Sequence, residues 1–389
     1  MYFFFNVIFY LISIYIQFIY GGAIIKSIYH NQQSIEMKVK GFIGNEVPDN
    51  EDIQILKPYN DTLPYTVVEK NGQIHVPFII ISDQDRDAKI HDKNHKTVYA
   101  STVEMGVLTV NKDFSSANVR LSIKTQDLIT KLNYDSRGAE FSDLKWFNGH
   151  LITVDDKTGV IYKIEGKKLV VQGIMNDGLD SDKLYKGEWL TVKDKKMYVG
   201  GYGKEFTNGN GTQVTNVDPF FIKVFDRNMG YETLNWTNNF INVRKSIGIT
   251  FPAYIVNEAV QWSEVNKKWF FLPRKVSFNP YTDADAEIAG SNILITADEN
   301  FEIFGKVTVG EKVPDQGFSA FQFVPKTNEK VIIALKSKET EKEGVSSFIM
   351  VFHINGTVLY GPRKIPGKYK MEGIEFYNWR TEFNVCQKR

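Results

Sequence analysis

The run WFNGHLITVDDKTGVIYKIEG spans Trp146–Gly166. It holds two β-type segments, HLITVDD and GVIYKIEG, rich in β-branched and aromatic side chains and bounded by turn residues. Asn148–Gly149 is a hairpin signal, because the turns that match strand twist need positive φ at both central residues. The same alternation repeats outward in KKMYVGGYG, KWFFLPRK, SNILITAD, VIIALKS and SFIMVFHI. Turn signals EGKK, VNKKW, TNEK and INGT punctuate the chain between such runs. NFINVRKSIGI (Asn239–Ile249) is the best helical candidate, and it is short. The class is all-β. A stretch of roughly 300 residues of short strands is too long for one ordinary sandwich, and recurrent hairpins suit propeller blades around an axial channel.

The chain has 389 residues, with 47 basic and 46 acidic side chains and a formal charge of +1. Such a balance gives no electrostatic reason to expect nucleic acid or an anionic membrane surface as partner. Cys386 is the single cysteine, so no disulfide forms within the chain and no zinc site of two or more thiolates is available.

Met1–Tyr20 carries no charged side chain, and GGA follows it. Residues 1–23 therefore read as a signal peptide cleaved after Ala23, or as a retained signal anchor, since the apolar run is long enough to cross a bilayer. Membrane association is expected only in the second case. Residues 24–61 are polar and read as an extended lead-in to a β domain over residues 62–389. Sequons at Asn60, Asn210, Asn235 and Asn355 fit a secretory route and a glycoprotein.

Asp83, Asp85 and Asp87 stand at alternate positions after the apolar run VPFIIIS. They begin like a helix–loop–helix calcium loop, but that loop needs Gly sixth and Glu twelfth, where this chain has Ala88 and Asn94. The preceding run is strand-like, so the carboxylates sit where a buried strand emerges into a loop. His91 and His95 lie in a charged, loop-like stretch with weak metal-binding character. No GxxxxGK[ST] phosphate loop and no GxSxG nucleophile elbow occurs.

From Glu140–Gly166 through Lys186–Thr207, Asn257–Lys275, GFSAFQFVP (Gly317–Pro325) and MEGIEF (Met371–Phe376), the sequence resembles the calcium-activated nucleotidases, or apyrases. The resemblance covers roughly residues 65–377 in long ordered blocks. It implies a five-bladed β-propeller with one calcium ion in the central channel. It also implies hydrolysis of phosphoanhydride bonds in nucleoside di- and triphosphates. The calcium ligands it implies fall on Ser142, Asp143, Glu188, Glu258, Ser319 and Glu372. From Asp143 onward these positions recur about once per blade, so a ring of blades would aim oxygens at a common axis. The phosphate-side positions it implies are Lys204 and Arg274, which without the resemblance would read as solvated surface charge. Phe206 stands where the family can carry Trp, keeping an aromatic face for a base but no indole N–H. Asp83 is assigned to orient or deprotonate the attacking water, with Asp156 as the alternative. A secreted enzyme acting on extracellular nucleotide, with an anti-platelet role as one option, and a lumenal secretory-pathway enzyme both fit this reading. So does a propeller that sequesters nucleotide or another small ligand without turnover.

Overall fold

The computed structural model describes residues 58–122 and 126–378, and the backbone of two short strands, Ala23–Ile25 and Val39–Gly41, which pair antiparallel as a separate unit. Met1–Tyr20, read above as a signal peptide or retained anchor, and Cys386 lie outside the described residues. Among the described residues no helix is long and apolar enough to cross a membrane.

Four sheets of four antiparallel strands follow one another along the chain. Their first strands are Phe141–Phe147, Trp189–Lys193, Ala253–Ser263 and Gly317–Phe323. Every one of these is the edge from which its sheet is built outward in chain order. A further sheet has seven strands. Its edge is the C-terminal strand Lys370–Phe376, which pairs with Gln73–Asp83 from the start of the domain. The two ends of the domain are thus hydrogen-bonded into one sheet and close the structure on itself. The arrangement is propeller-like, with four regular four-stranded blades rather than five equal ones.

The turn chemistry explains the strand breaks. Asn148 and Gly149 have φ of 48° and 74°, and Asp194 and Lys195 have 51° and 60°, as a tight hairpin turn requires. The one substantial helix among the described residues, Thr237–Lys245, joins the second and third sheets.

The inner strands face one another and are stitched side by side. Leu190 N–H donates to Asp143 (2.8 Å) and Trp262 N–H to Thr191 Oγ1 (2.9 Å). Ser319 Oγ donates to the Met371 carbonyl (2.8 Å), and Trp146 Nε1 to the Phe376 carbonyl (2.8 Å). Ala253–Ser263 and Lys370–Phe376 are buried at every residue although they carry Glu258, Lys370, Glu372 and Glu375. Buried charge at that density needs partners, and the partners define the candidate site.

Candidate active site

All three glutamates of the expected calcium set come to one end of the inner strands. Glu258 and Glu372 lie within inner strands and Glu188 directly precedes one, with residue exposures of 9, 3 and 8%. Arg274, on the second strand of the third sheet, joins two of them. Its Nη1 donates to Glu258 (2.5 Å) and Glu372 (2.7 Å), and its Nη2 to Glu339 (3.1 Å). No basic group among the described residues lies within ion-pair distance of Glu188; burial first, then the Glu258 charge, pushes its carboxyl well above the usual range. Burial also lifts Glu372, against the pull of Lys370 and Arg274.

Two hydroxyls accompany the carboxylates. Ser142 Oγ is buried without a hydrogen-bond partner. Ser319 Oγ donates to Met371 and keeps its lone pairs. An oxygen-only set of carboxylates and hydroxyls, one of them orphaned, fits the preferences of calcium. Asp143 is placed differently. Its two oxygens accept from Leu144 N–H and Leu190 N–H, both at 2.8 Å, so the carboxylate staples the first inner strand to the second.

A second charged group adjoins the first through Lys370. The register sets Lys370 opposite Asp83. Lys370 Nζ lies 2.5 Å from Asp83, 2.9 Å from Asp85 and 3.8 Å from Glu372. Asp85 takes a left-handed φ of 46° and donates its N–H back to Asp83 (2.8 Å). Arg137 pairs with both oxygens of Glu140 and reaches Asp85 (2.6 Å). One oxygen each of Asp83, Asp85 and Glu140 falls within 4.8 Å of the others. Burial raises the Asp83 carboxyl to about 6, against the opposing charge of Lys370.

Asp155 and Asp156 divide their labour. Asp155 accepts from the N–H groups of Ala139, Lys157 and Thr158 and fixes the loop. Asp156 has one oxygen 3.4 Å from Lys186 and the other buried without a partner. Asp156 raises the pKa of Lys186.

A cavity of about 430 Å³ leads from Lys186, Glu188 and Glu258 to Lys204, Phe206 and Tyr281. Another of about 330 Å³ is lined by Asp83, Asp85, Arg137 and Lys370. Lys204 is buried and donates to the neighbouring Glu205 carbonyl at 2.7 Å. A third cavity, about 400 Å³, is lined by Lys145, Gln322 and Glu375, towards the opposite ends of the inner strands, and holds none of the expected site residues. His91 and His95 flank an exposed turn and join no metal-binding group among the described residues. Sequence reasoning missed Arg137, Glu140, Lys186, Lys370 and Tyr281. Glu140 and Lys186 open quoted blocks and Lys370 immediately precedes one, so a search for charges at strand starts would have flagged these three.

A family model described as Apyrase matches residues 84–377. The chain is 39% identical over 309 residues to "Apyrase apy-1" of Caenorhabditis elegans, covering 79% of this chain and 85% of that one. It is 38% identical over 323 residues to "Soluble calcium-activated nucleotidase 1" of Rattus norvegicus, covering 82% and 79%. It is 35% identical over 321 residues to "Apyrase" of Cimex lectularius, covering 82% and 87%.

Proposed function

We propose that this chain, which belongs to the Apyrase family, is a calcium-dependent nucleotidase. It hydrolyses phosphoanhydride bonds of nucleoside di- and triphosphates and releases inorganic phosphate. The observation that carries this reading is the convergence of Glu188, Glu258 and Glu372, from three sheets, beside an unpartnered Ser142 hydroxyl and a cavity with aromatic walls. The seven-stranded sheet counts as the fifth blade, enlarged by its added strands.

In this reading Ser142, Glu188, Glu258, Ser319 and Glu372 hold the ion, and Asp143 fixes the strand that carries Ser142. Bound calcium would offset phosphate charge and polarise a phosphoryl oxygen. The remaining work belongs to the side chains. Asp83 takes the proton of the attacking water, and Lys370 holds its carboxylate in place. Asp156 is the alternative base. Lys186 and Arg274 face the phosphates as cations, and positioning plus charge neutralisation supplies most of the rate in phosphoryl transfer. Phe206 offers a face to the base.

The charge-free Met1–Tyr20 segment supports a secretory route, as do the four sequons, whose asparagines are all exposed. In this reading the chain is an extracellular, glycosylated enzyme that removes ADP and has an anti-platelet effect where it meets blood; an anchored enzyme of the secretory-pathway lumen is the alternative. The test is phosphate release from ADP, ATP, UDP and GDP with calcium and with a calcium-selective chelator plus magnesium. Release in calcium alone is expected, because magnesium demands tighter octahedral geometry and gives up water reluctantly. Nucleotide binding without release would leave a sequestering protein instead.

A further inference from the structure

The five inner strands repeat a polar position beyond the proposed ion site. Three residues after each ligand position stands another polar side chain: Lys145 after Ser142, Thr191 after Glu188, Gln261 after Glu258, Gln322 after Ser319 and Glu375 after Glu372. Side chains alternate along a strand, so an offset of three would ordinarily turn a residue to the other face. Bulges undo this. The pairing registers skip Ser142, Glu258, Ser319 and Glu372, so each is the extra residue of a β-bulge. An extra residue reverses the alternation beyond it. The inner strands thus carry an upper ring, the proposed ion site, and a lower ring roughly 10 Å further along.

The lower ring is organised around one ammonium. Lys145 Nζ donates to Gln261 Oε1 (2.6 Å) and Gln322 Oε1 (2.9 Å). The two amide nitrogens donate elsewhere, to the carbonyls of Leu190 (3.1 Å) and Leu144 (3.3 Å), which leaves their oxygens for the cation. Thr191 Oγ1 donates to the same Gln261 oxygen (3.1 Å) and fixes it further. Glu375 is buried and accepts from Phe376 N–H (2.8 Å) and Trp146 N–H (3.4 Å). Burial raises its carboxyl, and the Lys145 charge opposes that rise. Thr191, Gln261 and Gln322 are buried as well. Lys145 is only half-buried, and with Gln322 and Glu375 it lines the cavity of about 400 Å³ at this end.

We infer that the lower ring is a second axial site, for a monovalent cation, and that the tethered ammonium of Lys145 fills it in this chain. Its oxygens are two neutral amide carbonyls and one carboxylate, so a single positive charge balances it. The upper ring, with three glutamates, suits a divalent ion. The ammonium joins the first sheet to the third and fourth, on the same strands that carry Ser142, Glu258 and Ser319. Lys145 is therefore a positioning residue for the upper ring. Only that last effect rests on the nucleotidase reading; the lower site does not.

The test is chemical rescue of the full chain, with wild type beside Lys145→Ala, Lys145→Met and Lys145→Ala/Glu375→Gln. Melting temperatures are measured in chelator with methylammonium, which reproduces the lost head group, and with tetramethylammonium at equal ionic strength. A ligand that binds only the folded state raises its melting temperature. Lys145→Ala should melt below wild type and regain several degrees in methylammonium but not in tetramethylammonium. Wild type, Lys145→Met, whose side chain still fills the space, and the double variant should gain from neither. In calcium, half-maximal phosphate release by Lys145→Ala should need several-fold more calcium than in wild type, and methylammonium should reverse that shift. No gain of Lys145→Ala in methylammonium, or the same gain in wild type or in tetramethylammonium, overturns the site. A second calcium per chain bound by Lys145→Ala in calorimetry overturns its assignment to a monovalent cation. Should Lys145→Ala fail to fold, Lys145→Met/Glu375→Gln decides. Removing the stranded carboxylate should recover part of the stability lost in Lys145→Met, and no recovery overturns the pairing. Melting needs no turnover, so a wild type that releases no phosphate ends the nucleotidase reading and leaves the rescue test intact.

Discussion

Burial lifts the Asp83 carboxyl to about 6 while Lys370 opposes the shift, so this group changes charge just below neutral pH. A base must be deprotonated to act. Activity should therefore rise with pH through about 6 and be lost progressively below it. Asp83→Asn should lower kcat by about a hundred-fold or more and remove that limb. A limb that persists in Asp83→Asn and disappears in Asp156→Asn would transfer the role to Asp156. Arg274 invites a different expectation. Its guanidinium is the shared partner of Glu258 and Glu372, so Arg274→Ala leaves buried Glu258 without a cationic partner among the described residues and Glu372 with only Lys370, 3.8 Å away. Breaking such a pair costs roughly 3–5 kcal/mol, and the chelator-treated variant should melt well below wild type. Calcium should then raise its melting temperature by more than it raises that of wild type. Equal melting temperatures in chelator would show that the triad contributes nothing. At this scale the sequence was only partly legible. DD at 155–156 does not say which carboxylate turns inward; that depends on which one the three loop N–H groups capture. Nor does a run such as FSD reveal that Asp143 is consumed by two backbone amides.

Among the elements, the inner strand of the fourth sheet begins with a glycine pressed against the third sheet. A Cβ at Gly317 would lie 1.9 Å from the Arg274 carbonyl oxygen, so Gly317→Ala must push the backbone of Arg274 aside. The predicted result is a loss of hydrolysis of about ten-fold or more, since small displacements of positioning groups are costly in catalysis, although no charged side chain is removed. Wild-type turnover in Gly317→Ala would show that Arg274 does not depend on that contact. Hairpin boundaries were readable because Asn-Gly and its relatives impose backbone signs that few other residues tolerate. The helix at Thr237–Lys245 was readable too, and matches the expected segment in all but its ends. The extra strands of the seven-stranded sheet were not, because Val68–Lys70 and Lys89–His91 are three residues each and carry no period.

Over the whole molecule, closure depends on partners some three hundred residues apart in the chain, Gln73–Asp83 and Lys370–Phe376. Local pattern could announce strands but not that pairing, which is why the class was legible and the unequal sheets were not. The same strand pair brings Asp83, Lys370 and Glu372 together, so folding the ring and assembling the site are one event. An ion held as proposed by residues of five sheets should stabilise all of them by mass action. Calcium should therefore raise the melting temperature of the full chain, and the rise should shrink in Glu372→Gln. A melting temperature indifferent to calcium in wild type would mean that no ion ties the sheets together.

The most direct test of the central claim is a calorimetric calcium titration of the full-length protein beside Glu188→Gln, with phosphate release from ADP followed at each calcium concentration. Of the three glutamates in the proposed ion site, Glu188 is the one without a cationic partner within ion-pair distance among the described residues, so its loss should weaken calcium binding most simply. The account predicts one calcium per chain in wild type, phosphate release that follows its occupancy, and both curves displaced together to higher calcium in Glu188→Gln. Phosphate release at full rate with no calcium bound, or identical curves for the two proteins, would contradict it.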